Sequence, residues 1–318
     1  EFTIGRGILE ALGIDFPLQD GDVAVRGNFC TVDAEGIIVD RRAGRISTEE
    51  AADLCQKLSQ IEFDGFKAIT VPIKGHRFLV VFRGHDLHAD VSDSDPNQVG
   101  LRPKELKAFS PESEKTAMLA AQWVDRAREA LANSHPANMT LLRGFSKHPK
   151  LPTMQAIYKL NPVAIAAYPM YRGLAKLVGM QVVETGTTIE EEFYTLGSYY
   201  HGFDFFFLHI KKTDSYGEDG NFEAKVKVIE EVDRLLPDIL NLGFDVVVVT
   251  GDHSTPVPLK GHSWHPVPFM IKSRFARCDI ENAFDEFSCA RGVLGTFYAV
   301  DVMGLILAHA LRLEKYGA

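Results

Sequence analysis

Apolar positions fall into two textures along the chain. In residues 22–32 (DVAVRGNFCTV) apolar and polar positions alternate, the period of a half-buried strand. Residues 36–40 (GIIVD) predict a second strand after a turn, and Thr48–Leu58 carries the spacing of an amphipathic helix. Residues 66–72 and 77–83 predict a hairpin across Lys74 and Gly75. A long loop rich in Asp, Ser, Gly and Pro follows at 84–100. Residues 110–132 predict a helix, with Ser110 as its cap, Pro111 in the first turn and early acids at Glu112 and Glu114.

After the break at 133–138 (NSHPAN) short apolar runs alternate with helical spacing. Strands are predicted at 139–143, 163–168, 181–183, 203–210 and 244–250, and helices at 172–177 and 221–242. In the last helix Phe222, Val226, Ile229, Leu236 and Leu240 share a face, and Glu223 can pair with Lys227. The run 244–250 (FDVVVVT) reads as a strand buried on both faces, and residues 266–271 as its return. This rhythm predicts an α/β class with a mostly parallel sheet flanked by helices. A smaller α+β unit is expected at 15–137 and the α/β unit at 138–318.

Composition narrows the partners. With 46% hydrophobic and 24% charged residues, the 318-residue chain has the make-up of a soluble globular protein. A formal charge of −9 argues against a nucleic-acid or anionic-membrane surface. Cys30, Cys55, Cys278 and Cys289 are scattered without metal spacing, which fits a reducing cytoplasm. The opening EFTIGRGILEALGIDF lacks the sections of a signal peptide. Residues 293–311 are apolar enough to consider as a span, but Asp301 and His309 interrupt them, so a buried terminal helix is expected.

Candidate chemistry sits at two strand ends, where α/β folds place their functional crevices. Asp252 and His253 follow the strand 244–250, and His262 comes nine residues after His253. Asp214 follows the strand 203–210, and Glu218 comes four residues later. Either cluster alone is matched by a turn cap or by an acidic loop before a helix. Together they predict a metal site for two ions. His76, His85 and His88 are expected to be structural, His209 a satisfied core histidine, and Ser254 a backbone cap.

The order HIKKTDSYGEDG, a helix, VVVVTGDHSTP and HSWHPVPFMI resembles the metal-binding half of the archaeal-type 2,3-bisphosphoglycerate-independent phosphoglycerate mutases, within the alkaline-phosphatase superfamily. GRGILEALG, DVAVRGNFCTVD, DRRAGRI, VSDSDPNQVG and LPTMQAIYKL extend the resemblance over nearly the whole chain. It implies an alkaline-phosphatase-like core, of which residues 1–14 are a remnant and 138–318 the metal-binding part. Residues 15–137 would be an inserted substrate or lid domain. It further implies one divalent ion on Asp214 and His262 and another on Asp252 and His253, Mn²⁺ or Zn²⁺, with no bisphosphoglycerate. Glu218 stands where the family commonly has a histidine. The implied reaction interconverts 3-phosphoglycerate and 2-phosphoglycerate through a phosphoserine. The family's serine nucleophile lies upstream of the GRG segment, so an absent N-terminal section is expected and no catalytic nucleophile is identified. A substrate with phosphate and carboxylate calls for guanidinium forks: Arg41, Arg42 and Arg45 first, Arg26 and Arg172 less so. Oligomers are compatible with this reading. The alternatives are another phosphotransferase, a phosphate or phosphonate hydrolase of the superfamily, or a non-catalytic metal-binding fragment.

Overall fold

The computed structural model describes residues 4–314. Glu1 and Phe2 of the opening peptide lie outside the described residues. Contacts divide the chain into two compact units: Glu1–Val183 with Phe203–Phe207, and Glu184–Gly202 with Leu208–Ala318.

The first unit is built on a five-stranded sheet. Its strands are β1 (Val23–Val32), β2 (Ile38–Asp40), β3 (Phe66–Lys74), β4 (Arg77–Gly84) and β5 (Met139–Ser146). β1 lies between β4 and β5, β3 flanks β4, β2 pairs with the end of β1, and every pairing is antiparallel. Alternation along β1 and β4 sorts the side chains into two layers. Val23, Val25, Phe78, Val80 and Phe82 join a core with Leu54 and Leu58 of α2 (Thr48–Leu58) and Trp123 of α3 (Glu114–Leu131). Ala24, Leu79 and Val81 face the other way, against Ile8 and Ala11 of α1 (Arg6–Gly13). Gly7 permits that approach, because a methyl group there would collide with the Ala24 carbonyl. The buried Ile8 N–H, one of the orphan donors of a helix start, donates to Ser146 Oγ at 2.9 Å.

Ser47 and Glu50 close a capping box at the start of α2. The expected cap at Ser110 does not form: its side chain makes no cap bond, a 3-10 turn occupies Pro111–Ser113, and the α-helix begins at Glu114. Ser110 instead bonds the Ser113 hydroxyl at 3.0 Å.

The first unit continues through α4 (Met154–Tyr158), β6 (Pro162–Ala166), α5 (Pro169–Leu177) and β7 (Gln181–Val182). A three-stranded sheet has the order β7-β6-β8, β8 being Phe205–His209, and β6 pairs with β7 in parallel. The second unit carries α6 (Ile189–Tyr199), α7 (Lys212–Asp219), α8 (Phe222–Asn241), β9 (Val246–Thr250), β10 (Phe269–Ser273), α9 (Glu286–Arg291) and α10 (Val302–His309).

The mixed α/β composition is present, but the described sheets are partly antiparallel rather than mostly parallel. β9 pairs antiparallel with β10 in a two-stranded sheet, as a hairpin-like return requires. With one neighbour β9 is half-buried, not buried on both faces. The apolar tail is also less helical and less buried than its composition predicts. Its helix is confined to Val302–His309, in which Leu307 alone is buried. No helix among the described residues is long and apolar enough to cross a membrane.

Candidate metal centre

In the second unit β9 delivers Asp252 and His253 just past its last residue, Thr250, and α7 carries Asp214 in its first turn. The bend after β9 turns back through an isolated bridge between Ser254 and Ser263, which sets His262 beside His253. Their imidazoles stack with centroids 3.8 Å apart and planes at 28°. Ligand atoms of Asp214, His253 and His262 all lie within 4.8 Å of one another. His262 Nε2 is 3.4 Å from Asp214 Oδ1 and 3.9 Å from Glu218 Oε1, and His253 Nε2 is 3.5 Å from Asp252 Oδ2. One turn of α7 thus points Asp214 and Glu218 toward the same imidazole, as i and i+4 positions do.

Two groups that the sequence reading passed over hold Asp214. The Thr255 hydroxyl donates to Asp214 Oδ1 at 2.6 Å, and Lys211 Nζ donates to Oδ2. Burial pushes the Asp214 carboxyl up, but the Lys211 and Thr255 hydrogen bonds outweigh it and hold the group below its ordinary value. The Thr255 hydroxyl has one proton and spends it on Asp214. The 3.0 Å contact between Thr255 Oγ1 and His253 Nδ1 is therefore a donation from the imidazole N–H. In the neutral ring that leaves the Nε2 lone pair outward, the form that binds a metal. His209, at the end of β8, is pushed down to about 4 by burial, which outweighs the opposing pull of Asp252.

A carboxylate and two imidazoles whose ligand atoms converge within 4.8 Å fit a borderline divalent ion. Ser254 is engaged elsewhere: its hydroxyl donates to the His265 carbonyl at 3.1 Å.

The candidate arginines lie in the first unit. Arg41 forms a fork on Asp95, with Nε to Oδ1 at 3.0 Å and Nη2 to Oδ2 at 2.7 Å, and its Nη2 also reaches Asn97 at 3.2 Å. Burial opposes ionisation of Asp95, yet that fork and the Asn97 N–H keep its carboxyl below the ordinary range. Arg42 N–H donates to Asp40 at 2.8 Å, and Arg45 has a left-handed backbone with φ 58°. Arg26 is buried on β1, and Arg172 lies on α5. Sequence reasoning left out Arg77, on β4, and Arg143, on β5, whose cross-strand placement no local spacing reveals.

Residues 115–309 match the model of the metalloenzyme superfamily, a class with which a carboxylate–imidazole cluster at a strand end is consistent. Residues 1–138 match the model of 2,3-bisphosphoglycerate-independent phosphoglycerate mutase. The chain is 53% identical over 320 residues to a probable 2,3-bisphosphoglycerate-independent phosphoglycerate mutase of Thermosipho africanus, covering all of this chain and 79% of that protein. For the protein of the same description from Aquifex aeolicus the identity is 50%, over all of this chain and 81% of the relative. Among solved structures, the cofactor-independent phosphoglycerate mutase of Thermoplasma acidophilum superposes with a TM-score of 0.64 at 28% identity, over 96% of this chain and 81% of that one. The PH0037 protein of Pyrococcus horikoshii gives 0.81 at 25% identity, over 99% and 80%. The chain belongs to the 2,3-bisphosphoglycerate-independent phosphoglycerate mutase family.

Proposed function

We propose that the protein interconverts 3-phosphoglycerate and 2-phosphoglycerate without bisphosphoglycerate, using divalent metal held at the Asp214, His253 and His262 cluster. The convergence of those three ligands within 4.8 Å is the observation that carries the reading. Asp252 and Glu218, each within 4 Å of one of the two imidazoles, complete a set for two ions, Mn²⁺ or Zn²⁺. Such ions lower the pKa of a nucleophilic hydroxyl and neutralise phosphoryl oxygens. The chain's own residues do the rest. Thr255 fixes the carboxylate and the imidazole tautomer, Lys211 supplies positive charge beside them, and Arg26, Arg42, Arg45 and Arg172 offer forks to the anionic substrate. Arg41 belongs to the same substrate proposal through its neighbours, since its own fork is on Asp95.

The alkaline-phosphatase-like core and the division into 1–14, 15–137 and 138–318 are part of this proposal. The parallel β6–β7 pair and a mutase family model ending at residue 138 support them. A cytoplasmic setting follows from a glycolytic reaction. Glu218 favours a second reading, hydrolysis of phosphate esters, because a carboxylate there adds negative charge near His262.

The test is coupled mutase turnover with added Mn²⁺, on this chain and on a chain of the relatives' full length. Turnover abolished by chelation and restored by Mn²⁺ is expected in at least one. Ester hydrolysis without isomerisation in both, with metal bound, would replace the mutase by the hydrolase.

A further inference from the structure

On the face of the five-stranded sheet that packs on α1, three arginines stand side by side on adjacent strands. Arg143 on β5 is the register partner of Arg26 on β1, and Asn28, two residues along the same face of β1, is the partner of Arg77 on β4. Like charges directly opposite one another destabilise a sheet. This row therefore needs a compensating anion.

The protein supplies too little negative charge for it. Glu10 of α1, 2% exposed, lies 3.7 Å from Arg26 Nη1, and Asn28 Oδ1 accepts from Arg26 Nε at 3.3 Å. Arg143 approaches Asp95 at 3.4 Å and Asp93 at 3.8 Å, but Asp95 already receives the fork of Arg41. Arg77 donates to the Tyr168 hydroxyl, a neutral group. The Nε–H of Arg77 and the Nε–H of Arg143 are buried with no hydrogen-bond acceptor among the described residues, and Arg6 adds a further charge that acts on both Arg26 and Arg143. Burial, and next the charge of Arg77, pull the Arg26 guanidinium down to about 10, so the surroundings resist its charge. A buried donor left unsatisfied is destabilising, and more so when it belongs to a charged group.

We propose that Arg143, Arg26 and Arg77 form an anion-binding row for the carboxylate or phosphate of the substrate, with Arg77 and Arg143 as binding residues beyond the DRRAGR group. The proposal rests on the mutase reading for the identity of the ligand, a small phosphorylated acid. A planar fork with open N–H groups matches either oxyanion in two-point contact, which an ammonium does not.

Calorimetric titration of the chelator-treated protein with 3-phosphoglycerate, glycerate and glycerol phosphate tests the row apart from the metal cluster. Arg77→Met and Arg143→Met are each expected to weaken 3-phosphoglycerate binding about 10- to 100-fold, the loss of roughly 1.5–3 kcal/mol in charged hydrogen bonds. Arg77→Lys and Arg143→Lys, which keep the charge and guard against misfolding, should recover part of that loss. Whichever of glycerate and glycerol phosphate shows the same loss identifies the group bound. Wild-type protein that binds none of the three anions, or lysine and methionine variants that melt as wild type and bind with unchanged affinity, would overturn the row. Mutase turnover with KM unchanged in both variants would sink the row and leave the mutase reading standing. Variant-sensitive anion binding without any isomerisation would do the reverse.

Discussion

The Thr255 hydroxyl donates to Asp214 Oδ1 at 2.6 Å while accepting from the ring of His253, 3.0 Å away. A single side chain thus orients an oxygen ligand and a nitrogen ligand of the candidate metal site. Partners of this kind are worth about 10- to 100-fold in metal affinity. Thr255→Val should weaken Mn²⁺ binding by that factor in calorimetric titration, and Thr255→Ser should retain it. Wild-type affinity in Thr255→Val would show that the ligands orient themselves.

Much of this site was legible because it needs only short-range order. A β-branched run ends, the chain turns, and Asp252 and His253 emerge at the strand end. Asp214 and Glu218 are placed by helical spacing. What stayed hidden depends on pairing across the sheet. Arg143 meets Arg26 through the register of β5 on β1, residues separated by more than a hundred positions, and nothing in either local sequence encodes the match. The parallel sheet was overestimated for the same reason: apolar runs announce strands, not their direction. Helix α6 was missed for a different one. Its Thr188 and Glu191 form a capping box, a local signal, but the acid-rich segment that follows has little apolar contrast.

The Arg41–Asp95 fork fixes the DRRAGR segment to the loop that follows β4. Asp95 is depressed in the folded protein, so its contribution is complete above the unfolded value of 3.8 and disappears as pH falls through the lower folded value. Breaking a fully buried pair costs about 3–5 kcal/mol, and the 27% exposure of the Arg41 side chain places this one lower, near 2–4 kcal/mol. Asp95→Asn should show that deficit in urea unfolding at pH 7, and the deficit should shrink progressively as pH falls below 3.8. A deficit that does not change below 3.8 would assign it to packing.

His76, beside the arginine row, is pushed down to about 4 by burial and then by Arg77, Arg26 and Arg42, with Asp40 pulling weakly the other way. A histidine depressed on folding leaves the unfolded chain as the better proton acceptor between its two values. Stability is then full above about 6.5 and is lost as pH falls toward 4. His76→Gln should flatten the decline of melting temperature over that window. His209 remains in both proteins and cancels in the comparison. An identical slope in variant and wild type would mean that His76 is protonated in the fold.

Trp123 of α3 is fully buried, with its ring 6.2 Å from Phe78 and edge-on to Phe82 at 6.3 Å and 88°. Its indole N–H finds no acceptor among the described residues. Truncation and removal of the N–H should therefore have opposite signs. Trp123→Ala leaves a cavity between α3 and the sheet and should cost about 3–5 kcal/mol in chemical denaturation. Trp123→Phe loses some packing but also removes a buried unsatisfied donor, a relief on the order of 1–3 kcal/mol. The phenylalanine variant is expected within about 1 kcal/mol of wild type. A loss as large as that of Trp123→Ala would mean that the indole N–H has a partner, such as a buried water, and that the shape of this core rests on it.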